Sequence, residues 1–291
     1  MTLINANMKH FILITLLYIS VETIVYCQST STCGSKVSDL QQTLEKSFII
    51  PQITDLQNLP QANNSLYISA FIVANNPKNT KPIVINQSII QKAIDDLQSF
   101  FAPIALTFKL KGPIDVPNYQ LNSITLGDGN EVILTGYNHA LNVITLYLVD
   151  SLYDSDKNNI AGYAYMPGDN SSVILMEKSA LNSVFLAHQI GHSLGLYHTH
   201  ETIFGDELVS RSAQCDITGD RCCDTEADPN LTGLVSSCLY IGNAKDKNNS
   251  FYSPSAKNIM SYSNAVCQCT FTTMQFNRMV YYLNKNRKML Y

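Results

Sequence analysis

The sequence predicts an α/β (α+β) fold: a sandwich in which one helix covers a sheet and a second, functional helix lies at the bottom edge. Three observations carry this expectation. Apolar, β-rich runs recur at Leu66–Val73, Ile104–Leu110, Val143–Val149 and Ser172–Met176. Between the first two runs, Ile90, Ala93, Ile94, Leu97, Phe100 and Phe101 recur at helical spacing until Pro103 stops them. After residue 200 the chain is loop-rich until Phe276, Met279, Val280 and Leu283 form a last amphipathic stripe, opened by the capping-box pattern Thr272–Gln275. With 45% hydrophobic and 14% charged residues and a net charge of -4, the 291-residue chain is globular and does not have the basic balance of a nucleic-acid binder.

Taken in order, Lys9 and His10 precede an apolar run from Phe11 to Val21 that is short for a bilayer span. It reads as an export signal over residues 1–27, with a mature start near Gln28. Residues 28–61 are polar and mixed, an N-terminal extension or short propeptide, and residues 62–291 form the main domain. A secreted protein is expected, with no membrane association after signal cleavage. The run Val143–Val149, apolar but for Thr145, reads as an interior strand. Gly162–Tyr165 leads through Pro167-Gly168 into the last strand, and Ser179 is the expected cap of the helix that follows.

That helix carries His188 and His192, four residues apart and so on one face. Gly195 can end it in a left-handed conformation, which brings His198 round as a third ligand. Three neutral imidazoles with an open fourth position are the donor set of a catalytic zinc site. Four of the six histidines lie between His188 and His200. His200 is read as a neighbour of the centre, because the triad already fills the protein side of an open site.

Export favours disulfides among the 8 cysteines. If Cys27 leaves with the signal an odd number remains, so one thiol stays free or pairs between chains. Most lie after the histidine motif and should staple the loop-rich part. Asn63, Asn86, Asn170, Asn230 and Asn248 stand in glycosylation sequons.

Three blocks resemble the pappalysin-like metzincin peptidases, in particular their compact bacterial-type members, over roughly residues 62–285. Leu186–Thr199 is similar to the family's zinc motif, Gly219–Pro229 to its G-D-x-x-C-D-T-P-A-D-P segment with Glu226 in place of proline, and Asn258–Ser263 to its Met-turn. The resemblance implies a metzincin catalytic domain: an upper subdomain with the sheet, backing helix and active-site helix, and a disulfide-stapled lower subdomain ending in a helix. It implies zinc on His188, His192 and His198, Met260 as the hydrophobic base beneath the metal, and Tyr262 as a stabiliser of the oxyanion. An extended peptide or protein substrate would lie by strand addition against an edge within Asn170–Glu177. Two bridges are implied among Cys215, Cys223, Cys238 and one of Cys267 or Cys269, with Cys222 and the remaining late cysteine as a further pair. Calcium on Asp216, Asp220 and Asp224 is also implied.

The chain departs from the family at one decisive place. The general base beside the first histidine is a glutamate in active members and is Gln189 here. An amide oxygen is not basic at physiological pH, and general-base catalysis contributes roughly 10² to 10⁴ in rate. Glu201 lies beyond the third ligand and is not expected to replace it. The expectation is therefore a zinc metalloendopeptidase by family, impaired or inactive at Gln189. The alternative is a pseudoprotease that binds peptides or proteins through an intact cleft.

Overall fold

The computed structural model describes residues 32–47, 50, 53, 55–136, 143–168, 172–210 and 214–285. The export signal, Cys27 and the Asn170 sequon lie outside them. The elements are α1 (Asp39–Ser47), β1 (Asn64–Val73), α2 (Gln87–Phe101), β2 (Leu106–Val116), β3 (Ser123–Thr125), α3 (Gly129–Thr135), β4 (Val143–Val149), β5 (Ser151–Tyr153), β6 (Gly162–Ala164), β7 (Val173–Glu177), α4 (Ser183–Ser193), β8 (Val235–Ser236), β9 (Leu239–Tyr240) and α5 (Thr273–Lys285). The main sheet has the order β2-β1-β4-β7-β6 and is parallel except for β6, which runs antiparallel to β7.

The period-2 alternation of the strands divides the core into two layers. Leu66, Ile68 and Ala70 of β1, Ile144, Leu146 and Leu148 of β4, and Ile174 and Met176 of β7 face the layer shared with α2, α4 and α5. Phe71, Val73, Tyr147, Val149, Val173 and Leu175 face the opposite layer, closed by Leu121, Ile124, Leu134 and Leu152. All seven residues of β4 are buried, Thr145 among them, as a run apolar at its other six positions leads one to expect. Strand β2 continues past Leu110 to Val116 across an irregularity in its register with β1, where Gly112 adopts φ +97°. Pro113 is tolerated there because β2 is an edge strand.

Lys178 is buried where the strands end, and its ammonium donates to Val73 O (2.6 Å), Asn75 Oδ1 (2.7 Å), Asp150 Oδ1 (2.9 Å) and Asn122 Oδ1 (3.2 Å). This satisfied charge ties the C-terminal ends of β1, β4 and β7 together. Ser179 belongs to a short 3₁₀ turn, and the cap of α4 is Asn182, whose side chain accepts from Phe185 N at 2.9 Å. The expected capping box is present at α5: Gln275 N donates to Thr272 Oγ1 (3.3 Å) and Thr272 N to Gln275 Oε1 (2.9 Å).

Between α4 and α5 the regular structure is the hairpin β8–β9, and two disulfides, Cys215–Cys223 and Cys238–Cys267, hold this loop-rich half. The further pair does not form. Cys222 is a buried free thiol and Cys269 an exposed one. Among the described residues no helix is long and apolar enough to cross a membrane.

Candidate metal centre

Helix α4 brings His188 and His192 onto one face, and Gly195, at φ +88°, turns the chain so that His198 meets them. A Cβ at Gly195 would collide with the ring of Tyr282, so both the turn and the close approach of α5 need glycine. Gly191 plays a second part: a Cβ there would lie 2.7 Å from the sulfur of Met260, which packs fully buried beneath the helix. Met260 is itself placed by Asn258, whose Oδ1 accepts from Met260 N at 2.8 Å and whose amide donates to Gln275 at 3.1 Å.

The three Nε2 atoms converge, with His192 Nε2 at 3.1 Å from both His188 Nε2 and His198 Nε2. Since a carbonyl oxygen can only accept, His188 Nδ1 donates to Ile259 O (2.7 Å) and His192 Nδ1 to Leu196 O (2.9 Å). That fixes the tautomer and leaves lone pairs on the inward nitrogens. Two lone pairs 3.1 Å apart with no proton between them repel, and a cation placed between them removes the conflict. Tetrahedral zinc with bonds of about 2.0–2.1 Å holds its nitrogens about 3.3 Å apart, so the donors fit that metal. Burial pushes His188 down to about 4, against its bond to Ile259. Burial, then the neighbouring histidines, hold His192 and His198 well below the usual imidazole range. All three rings are therefore neutral near pH 7, as ligands must be.

A fourth donor is present that the motif does not contain. Cys33 Sγ lies 3.4 Å from His192 Nε2, and the four ligand atoms fall within 4.8 Å of one another, all from buried residues. Cys33 arrives on a segment laid along β6: Ala161 N donates to Thr32 O (3.0 Å), Gly34 N to Gly162 O (2.9 Å) and Ala164 N to Ser35 Oγ (2.9 Å). Cys33 pairs with Gly162 in the parallel sense. The expected peptide-docking edge within Asn170–Glu177 is thus corrected. Strand β7 is interior, between β4 and β6, and β6 is the strand on which the chain's own N-terminal segment lies.

Gln189 is fully buried, with Nε2 donating to Cys33 Sγ at 3.3 Å and Oε1 accepting from Ser35 Oγ at 3.5 Å. Burial pushes the Cys33 thiol up, opposed by the hydrogen bonds from Ser35 and Gln189. Tyr262 stacks edge-on to His198 with centroids 4.7 Å apart, and its hydroxyl donates to Cys33 O at 2.6 Å. His200 lies face to face with His198 at 5.1 Å, outside the donor set. Glu201 accepts from the backbone N–H groups of Thr202 and Ile203, so its carboxylate is engaged in a turn.

The carboxylates assigned to calcium do separate work. Asp216 is exposed, Asp220 accepts from Cys222 N and Thr225 Oγ1, and Asp224 accepts from Thr272 Oγ1 and Met274 N at the start of α5. Burial raises Asp220 to about 7. Among the described residues, the group that converges as metal donors is Cys33 with the three histidines. The sequence reading missed Cys33, and its one signal there was the odd cysteine count.

Fold and centre together define the metzincin class of zinc metallopeptidases. The chain belongs to the peptidase family described as pregnancy-associated plasma protein-A, whose model matches residues 137–284. It is 33% identical to human pappalysin-1 over 147 residues, 45% of this chain but only 9% of that much longer relative. It is 27% identical over 225 residues to an extracellular metalloprotease of Neurospora crassa, covering 70% of this chain and 69% of the relative. In fold it is similar to a promirolysin mutant of Tannerella forsythia, with TM-score 0.58 at 15% identity over 89% of this chain and 95% of that one. Mature mirolysin in complex with a cleaved peptide gives TM-score 0.50 at 18% identity, over 74% and 89%.

Proposed function

We propose that this chain is a secreted, zinc-binding member of its peptidase family in which peptide hydrolysis is suppressed, with His188, His192 and His198 as the protein ligands. Extracellular action of the Neurospora relative, by its name, supports secretion. Zinc held by the three imidazoles would supply a Lewis acid that polarises a peptide carbonyl and acidifies a water molecule. The observation that carries suppression is Gln189, a fully buried amide at the general-base position, turned toward Cys33. It can donate to sulfur or orient a water, but it cannot take a proton from one. Tyr262, the candidate oxyanion donor, is spent on Cys33 O.

Residues 28–61 are an N-terminal extension, of which 32–35 lie over the centre, and 62–291 the peptidase-type domain, with Met260 as packing beneath the centre. The reading as an open peptide-binding module is less well supported, because residues 32–35 already cover β6. The test compares three zinc-loaded proteins on a diverse peptide library: the natural sequence, Cys33→Ser, and Cys33→Ser with Gln189→Glu. The first two should be inert. The double variant should gain ~10²-fold or more in hydrolysis, abolished by chelation. Turnover by Cys33→Ser equal to that of the double variant would show that Gln189 is no impediment.

A further inference from the structure

We propose that residues 33–47 are a permanent part of the folded protein, fixed at Cys33 on the histidine centre and at Glu45 in a buried cluster behind the zinc-motif turn. This deepens the reading of Cys33 as the group that closes the centre, but it assigns the holding strength to Glu45. Glu45 is 1% exposed and ion-pairs with Arg278, itself 3% exposed, and with Arg221 at 2.9 Å. The Tyr282 hydroxyl donates to the same carboxylate, and Gln41, one turn earlier on α1, donates to Tyr197 (3.0 Å) and Tyr282 (3.2 Å).

Arg278 is enclosed on its other sides. Its guanidinium lies 4.6 Å from the Tyr197 ring centroid and 5.3 Å from that of Tyr282, and its Nε donates to Gly195 O at 2.6 Å. Withdrawing α1 would therefore take from the guanidinium its ion-pair partner and leave it a carbonyl, two ring faces and the weaker field of Asp220. Breaking a buried pair by removing one partner is strongly destabilising, on the order of 10²- to 10⁴-fold in an equilibrium constant. The same arginine holds the glycine turn that delivers His198. Release of the segment and distortion of the metal centre are thus opposed by one set of bonds. A cut in the connection to β1 is not expected to free residues 33–47.

The test uses the zinc-loaded full chain with a site-specific protease sequence in place of the exposed residues 55–58, cut and followed by native mass spectrometry and size exclusion. The fragment ending at the cut should remain bound through chromatography. Glu45→Gln should shorten its residence by about 10²-fold or more. Arg221→Gln, which leaves the Arg278 pair in place, should shorten it by about 10-fold. Cys33→Ser should shorten it less than Glu45→Gln does. Shedding by the cut natural sequence within the dead time overturns the proposal. So does unchanged residence in Glu45→Gln or, where that variant does not fold, in Arg221→Gln, and so does a largest effect from Cys33→Ser. Cobalt substitution separates the two readings. If the intact chain lacks thiolate-to-cobalt absorption, Cys33 does not close the centre, and the Glu45 measurement then judges the anchor by itself.

Discussion

Replacing Gln189 by Glu tests the closed centre without touching a ligand. In the natural chain the amide Nε2 donates to Cys33 Sγ at 3.3 Å, inside a site where Cys33, Gln189 and the three histidines are all buried. The carboxylate of Gln189→Glu removes that donor and sets a negative group beside the sulfur. A hydrogen bond to a charged group contributes about 1.5–3 kcal/mol, so opening at Cys33 should become about 10- to 150-fold more favourable at about 1.36 kcal/mol per decade. Pulsed alkylation with iodoacetamide, read by peptide mass spectrometry, measures this directly. The molecule carries its own references, since Cys269 is exposed and Cys222 buried. In zinc-loaded natural protein Cys33 should react far more slowly than Cys269. In Gln189→Glu its rate relative to Cys269 should rise by the factor above, while Cys222 stays protected. An unchanged Cys33 rate in the variant would show that the amide does not hold the thiol. A natural-sequence Cys33 as reactive as Cys269 with zinc bound would refute closure altogether.

Two further outcomes concern stability. Burial tends to raise the pKa of Glu45, but the charges of Arg278 and Arg221 and the hydrogen bond from Tyr282 bring it below the ordinary value. A group depressed in the folded state contributes stability that is present above its unfolded pKa and lost as pH falls through its folded one. The gap in urea midpoint between natural protein and Glu45→Gln should therefore be full at pH 6–7 and shrink through the acid carboxylate range; a gap independent of pH would contradict the ion pair. The disulfides differ in the loop they close, with sequence separations of 8 for Cys215–Cys223 and 29 for Cys238–Cys267. Chain entropy gives about 2.5 and about 3.6 kcal/mol. Replacing both cysteines of the second bridge by Ser should lower Tm more than replacing those of the first, and the reverse order in calorimetry would rule out the entropic account.

The parts of the fold that were legible in the sequence are those fixed by local patterns. The alternation that faces Ile144, Leu146 and Leu148 one way and Tyr147 and Val149 the other, the stripe of α2 and the reciprocal Thr272–Gln275 cap each need only neighbouring residues to be understood. The histidine triad was legible for the same reason, since i, i+4 spacing and Gly195 determine where the imidazoles go. The closing segment was not. Cys33 reaches His192 across a sequence separation of 159, and nothing in its neighbours marks a ligand. Helix α1 was missed because the residues it buries are the polar Gln41 and Glu45, which a hydrophobic-period search counts as surface. The docking edge was misplaced because β7 reads as a strand of either kind, and only the antiparallel return of β6 makes it interior.

That polar burial has a consequence for how the centre responds to change. Gly195 is where the turn after α4 meets α5: its carbonyl accepts from Arg278, its missing side chain leaves room for the Tyr282 ring, and its positive φ delivers His198. Arg278 and Tyr282 are in turn the partners of Glu45. A metal that binds the three imidazoles stabilises the turn, and a stable turn keeps Arg278 and Tyr282 where Glu45 needs them. Linkage makes this reciprocal: whatever factor the bound segment adds to zinc affinity, zinc adds to retention of the segment. The coupling does not depend on Cys33 alone, because the path through Gly195 contains no ligand atom. Loss of metal and release of residues 33–47 should for that reason remain coupled even in a chain whose Cys33 has been replaced.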